Sequence, residues 1–251
     1  MSVHYIEFQN VCKAFGDNQV LEGVSFYVDP GETLVVLGRS GVGKSVTLEH
    51  IMGFLKPDAG RVWVAEEDIT DYNEAQLQKI RQKVTMVFQS GALFDSLTIF
   101  ENVAFPLREQ RGYGEQHIEE VVLGLLDLLE IRELADSLPV DLSTGMKRAA
   151  AIARALAAQP EAILYDEPTT MVDPLMSQHI GNLIERLKRQ LKLTSVVVTH
   201  DTRLARKVAD RLVFLEDGHV IFFGGREELP ACSHPVVQEF LLEDEIRVAL
   251  S

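Results

Sequence analysis

One octapeptide can do chemistry by itself. Gly38-Arg39-Ser40-Gly41-Val42-Gly43-Lys44-Ser45 satisfies every required position of the phosphate-binding loop G-x-x-x-x-G-K-[ST]. Its glycines let the backbone turn tightly enough for successive N–H groups, up to that of Val46, to face a phosphate. Lys44 is placed to reach β- and γ-phosphates, and the Ser45 hydroxyl to ligate magnesium. A second group is the acidic pair Asp166-Glu167. Asp166 could hold magnesium opposite Ser45, and Glu167 could orient or deprotonate a water. His200 could contact a γ-phosphate, although a lone histidine is more often structural. Ser143, in Leu142-Ser143-Thr144-Gly145-Met146, suits a helix N-cap and equally an anion site at a helix N-terminus.

The surrounding sequence supplies elements that can position these groups. Thr33-Leu34-Val35-Val36-Leu37 reads as a buried strand entering the loop, and the spacing predicts a helix over Val46–Leu55. Ala162-Ile163-Leu164-Tyr165 and Ser195-Val196-Val197-Val198 are apolar on both faces, as central parallel strands are, and end at Asp166-Glu167 and Thr199-His200-Asp201. Ligands of open α/β sheets bind at such carboxyl ends. Ahead of the loop, residues 3–28 read as two β-rich runs split at Gly16-Asp17-Asn18. Phe15 lies just before that turn, where its ring could stack on a purine or enter the core.

Residues 92–158 turn helical, with helices expected over Ile99–Leu107, His117–Leu129 and Met146–Ala158. A strand over Val84–Phe88 leads to Gln89, and helices are expected over Ala75–Lys83, Leu175–Leu191, Arg203–Ala209 and Pro235–Leu250. A hairpin is expected around Asp217-Gly218. The expectation is a single domain over 1–251. An α/β core with a β subdomain would comprise 1–91 and 159–251, interrupted by a helical subdomain over 92–158.

Composition narrows the function. The net charge is −14 and the isoelectric point about 4.9, which argues against an electrostatic grip on nucleic acid or anionic lipid. Cys12 and Cys232 lack metal-type spacing and point to a reducing compartment. No apolar run approaches the roughly 20 residues of a membrane span, and the first residues lack the basic and apolar regions of a signal peptide.

Taken in order, the phosphate loop, Gln89, the 142–146 stretch, the 162–167 run, Asp173 and His200 resemble an ATP-binding-cassette ATPase over about residues 3–230. The resemblance implies a P-loop nucleoside triphosphatase (RecA-like) core with an antiparallel β subdomain and an inserted helical subdomain. It implies two such domains sandwiching ATP and Mg2+, each ATP lying between one copy's Lys44 loop and the other's Ser143–Gly145. It further implies Gln89 beside the magnesium, sensing an integral-membrane permease. Glu167 would be the general base, His200 the γ-phosphate contact and Phe15 the adenine platform. The chain would then be cytoplasmic, held on the inner face of the cell membrane by the permease.

Two stretches depart from the family pattern. Thr144 and Met146 break the usual signature Leu-Ser-Gly-Gly-Gln, and Met171 stands where the loop before Asp173 usually has a small residue. A narrower resemblance runs through Phe88 to Arg108. There, as in Arg39, Val42 and Met146, the chain is similar to the ATPases of Mla-type (mammalian-cell-entry, MCE) lipid transporters, which pair with a permease and an MCE substrate-binding protein. A generic cassette serving another permease is the plainer reading. A soluble cassette of DNA repair or translation fits less well with a short acidic chain. A small-molecule kinase would leave the 142–146 stretch and His200 unexplained.

Overall fold

The computed structural model describes residues 3–110 and 112–249. Strands β1 (Ile6–Phe15), β2 (Asn18–Val28), β4 (Ala59–Val64) and β5 (Glu67–Asp68) form an antiparallel sheet in the order β2-β1-β4-β5. A second sheet has the order β10-β9-β3-β8-β7-β6. Its strands β3 (Thr33–Leu37), β6 (Val84–Val87), β7 (Ala162–Asp166), β8 (Thr194–Thr199) and β9 (Arg211–Glu216) run parallel, and β10 (His219–Gly225) closes one edge antiparallel to β9.

The period-2 alternation of side chains divides this second sheet between two cores. Val35, Leu37, Ile163, Tyr165, Val197 and Phe214 point to one side. They join the buried faces of α3 (Ile99–Glu109), α4 (Glu115–Leu128), α5 (Thr144–Ala157), α6 (Pro174–Leu191) and α7 (Thr202–Val208). Leu34, Val36, Leu164, Val196, Val198 and Val213 point to the other. They meet α1 (Lys44–Ile51), α2 (Glu74–Lys83) and the inner face of the antiparallel sheet. A sheet covered on both faces needs strands without a polar side, which is why β3 and β8 are buried at every position.

The helix ends are written in the sequence. Asn73/Gln76 and Thr98/Glu101 form reciprocal capping boxes on α2 and α3, and Asp173 caps α6 with Pro174 at its first position. The helix expected over Val46–Leu55 instead runs Lys44–Ile51. It starts within the phosphate loop itself. It stops where Gly53 takes φ 64° and the Gly53 and Phe54 N–H groups close a turn onto the His50 and Glu49 carbonyls. The last helix, α8 (Pro235–Ala249), seats Val237 and Phe240 on the first core, Phe240 meeting Phe214 edge to face at 5.0 Å.

Among the described residues no helix is long and apolar enough to cross a membrane.

Candidate functional site

The phosphate loop leaves the end of β3 and turns directly into α1, so the helix dipole and its first free N–H groups point into the loop. Two of its glycines are forced. A Cβ at Gly38 would lie 2.4 Å from the Leu215 carbonyl oxygen. Gly43 caps α1 in the left-handed region (φ 98°), its hydrogen facing Val20 and Leu21. The side chains of Val42 and Val46 pack on the second core and anchor the loop there. The Arg39 side chain turns the other way, to Glu239 on α8 at 2.8 Å.

Lys44 is buried, and its ammonium donates to the carbonyls of Gly38 and Arg39, both at 2.9 Å. It stands 3.3 Å from Oε1 of Glu167. Ser45 Oγ donates to Asp166 Oδ1 at 2.9 Å, joining the first turn of α1 to the end of β7. Glu167 leaves that strand with a left-handed backbone (φ 45°), and its N–H donates to the Val198 carbonyl. This turn directs the carboxylate back toward Lys44, where His200 Nδ1 donates to Oε2 at 2.9 Å.

Electrostatics sorts the two acids. Burial raises the Asp166 carboxyl above its ordinary value and the nearby Glu167 charge adds to this, against the opposing Ser45 hydrogen bond. Burial also pushes Glu167 up, but the His200 hydrogen bond and the Lys44 charge outweigh it and hold Glu167 below its ordinary value. The hydrogen bond to Glu167 in turn raises His200. The neighbours of Glu167 therefore favour its charge, whereas Asp166 is the carboxylate whose charge a cation would relieve.

Phe15, Val20, Ser40, Gly41, Gly43, Lys44, Ser45, Val46, Gln89, Glu167, Thr170 and His200 line one cleft of about 450 Å³. The Phe15 ring is 47% exposed at its rim, a half-open apolar face rather than a core residue. Gln89 reaches the same cleft because the segment after β6 is bolted in place. Arg148 donates to the Phe88 carbonyl at 2.6 Å, Arg154 to those of Gly91 and Ala92, and buried Asn102 to those of Phe94, Leu97 and Thr98.

Ser143 and Gly145 do not line this cleft. Ser143 caps α5, accepting from the Met146 N–H at 3.3 Å, and with Thr144 it is exposed. Gly145 is buried for a packing reason, since a Cβ there would fall 2.0 Å from Cγ of Met176 on α6. Two residues that the motif spacing passes over also belong to the cleft, Val20 and Thr170. Thr170 Oγ1 donates to Glu167 Oε2 at 3.1 Å, and its only sequence signal is that it follows the acidic pair by three positions.

An oxygen-only set of a serine hydroxyl and a half-buried carboxylate, with the Gln89 amide in the same cleft as the serine, suits a hard cation such as magnesium that keeps water and substrate phosphate among its ligands. Fold and site together define a P-loop nucleoside triphosphatase. A family model described as ABC transporter matches residues 21–170. The chain belongs to the ABC transporter ATPase family.

The probable ribonucleotide transport ATP-binding protein mkl of Mycobacterium leprae is 37% identical over 94% of this chain, which spans 68% of that protein. The intermembrane phospholipid transport system ATP-binding protein MlaF of Haemophilus influenzae is 37% identical over 96% of this chain and 91% of its own length. The methionine import ATP-binding protein MetN of Clostridioides difficile is 38% identical over 89% of this chain and 70% of its own. Among solved structures, the dimeric post-hydrolysis state of the cassette MJ0796 bound to ADP and Pi superimposes with a TM-score of 0.81 at 34% identity, covering 88% of this chain and 98% of that one. This chain is an ATP-binding, ATP-hydrolysing subunit of the kind that dimerises and works with a membrane permease.

Proposed function

We propose that the chain powers a permease that moves phospholipid or another hydrophobic molecule, paired with an MCE-type substrate-binding protein. Lys44, Ser45, Glu167 and His200 converge on one cleft, with Asp166 bonded to Ser45 at its edge, and this carries the catalytic part of the reading. The chain's similarity to MlaF along nearly the full length of both, together with the Phe88–Arg108 stretch, supports the cargo class.

In this reading the adenine stacks on Phe15. The loop from Gly38 to Val46, through Arg39, Ser40, Gly41, Val42 and Gly43, wraps the phosphates with its N–H groups, and Lys44 exchanges its carbonyl partners for β- and γ-oxygens. Ser45, Asp166 and Gln89 would hold Mg2+, which when bound would neutralise charge on the β- and γ-phosphates. Glu167 takes the proton from a water as that water attacks the γ-phosphorus. The bond to the bridging oxygen breaks and its electron pair leaves with ADP. His200 steadies the γ-phosphate and Glu167 together.

Ser143 and Gly145 lie outside the chain's own cleft, so they serve the site of a second copy. The exposed apolar side chains of Met171 (89%), in the loop before α6, and Leu175 (79%), in its first turn, belong in this reading to the face that copy would cover. The subunit would sit on the cytoplasmic side of the membrane, attached through the permease. Affinity purification from detergent-solubilised membranes, with mass spectrometry of proteins and lipids, tests the cargo. An integral-membrane permease, an MCE protein and bound phospholipid are expected, whereas an amino-acid permease with no lipid would refute the lipid reading.

Thr144 is exposed beside the capping Ser143, and in this reading it faces the partner's ATP. Its branched side chain adds bulk where glycine is usual, a clash of about 1–3 kcal/mol against about 1 kcal/mol for a hydroxyl hydrogen bond. Thr144→Gly is therefore expected to raise turnover of the assembled transporter several-fold and leave single-chain nucleotide affinity unchanged. Equal or slower turnover would show that the threonine is accommodated.

A further inference from the structure

The hydroxyl of Thr170 has no part in the phosphate-loop chemistry, yet it donates to the carboxylate on which hydrolysis turns. The turn from Glu167 to Thr170 is closed by the Thr170 N–H donating to the Glu167 carbonyl at 3.2 Å, with Pro168 inside it. That closure brings Thr170 Oγ1 to 3.1 Å from Glu167 Oε2. The neighbouring Thr169 ties the same turn to the cap of α7, donating to Asp201 Oδ2 at 3.2 Å.

The two oxygens of Glu167 consequently have different surroundings. Oε2 takes the Thr170 hydroxyl, the His200 ring N–H at 2.9 Å and the His200 backbone N–H at 3.4 Å. Oε1 has Lys44 at 3.3 Å. Lys44 is the partner that triphosphate would draw away, so Oε1 is the oxygen that becomes available when substrate enters.

We propose that Thr170 is a positioning residue that, with His200, pins Oε2 of Glu167 and leaves Oε1 as the oxygen that accepts the proton of the attacking water. The proposal rests on the reading of Glu167 as general base. A carboxylate rotates readily about its terminal bond, and the Thr170 and His200 donors, which come from two different strand ends, hold one of its oxygens and so fix its plane. Threonine suits the position because its branched Cβ limits χ1 and keeps the hydroxyl aimed.

The test is steady-state ATP hydrolysis by the full chain with magnesium, assembled with its partners, in T170V, T170A and T170S beside E167Q. T170V keeps the shape and removes the donor, so kcat should fall about tenfold, as expected for a misplaced catalytic group. KM should stay within about twofold, since Thr170 makes no bond to Lys44 or Ser45. T170A should share the loss and T170S should recover most of the rate. If valine is not accommodated and T170V misfolds, the comparison of T170A with T170S decides. Parent-like kcat in T170V or T170A, or a T170S as slow as T170A, would overturn the proposal. An E167Q that hydrolyses normally would overturn it together with the base itself. An inactive E167Q beside a fully active T170A overturns the role of Thr170 alone.

Discussion

Replacing Lys44 with alanine is expected to abolish measurable nucleotide binding, weakening it by at least about a hundredfold. Three features of the site argue for so large an effect. The ammonium is buried, so water cannot take its place cheaply. It is already aimed, held by the carbonyls of Gly38 and Arg39, so little order has to be created when phosphates arrive. It is also the cation that stands against Glu167, and without it a triphosphate would enter a cleft whose one lining carboxylate is left without its nearest lysine. Equilibrium titration of the purified chain with a fluorescent ATP analogue measures this directly. Retention of affinity within about tenfold of the parent would mean that backbone N–H groups and magnesium carry the phosphates and that Lys44 serves the fold.

Glu167→Gln separates the two halves of the reaction. The amide keeps the shape, and its carbonyl oxygen can still accept from His200 and Thr170, the two groups that hold the parent side chain. Binding of ATP should persist, while turnover should fall by about 10²–10⁴, the usual worth of general-base catalysis. The charge change acts in the same direction on complex lifetime. Removing the negative charge beside Lys44 lets the ammonium engage the phosphates more fully, so the ATP-bound dimer should accumulate. Turnover measured by phosphate release, set beside dimer content by size-exclusion chromatography with ATP, checks both outcomes. Unimpaired hydrolysis would remove Glu167 from the base role.

The contrast between these variants depends on how the elements are stacked. Ser45 and Lys44 belong to α1, Asp166 and Glu167 to the end of β7, and His200 to the end of β8. The α1 helix packs on the face of the sheet where Leu164, Val196 and Val198 lie, so its first turn comes over the carboxyl ends of both strands. The geometry of the candidate site is thus a consequence of the parallel register of β3, β8 and β7.

Much of this was legible along the chain. The valine- and leucine-rich runs 33–37 and 195–198 announce strands buried on both faces, because a parallel sheet covered by helices has no wet side. The glycine spacing of 38–45 announces a phosphate loop because that turn needs residues without a Cβ at fixed places. Asn73/Gln76, Thr98/Glu101, Ser143 and Asp173 mark helix starts, since a cap is a bond between near neighbours. All of these are local properties, decided over a few residues and readable from spacing alone.

Tertiary structure decided what spacing could not. Arg39 and Glu239 are 200 positions apart and meet only because α8 folds back past the loop. Gly145 is required by the close approach of Met176 from another helix, and nothing in the run 142–146 betrays that neighbour. The left-handed turn at Glu167, the donation from Thr170 to Oε2 and the resulting difference between the two carboxylate oxygens come from how β7 ends against β8. A sequence motif fixes which groups are present and roughly where the backbone bends. The direction of each side chain is set by the partners that packing brings within about 3 Å of it, and hydrogen bonds form or fail at that scale.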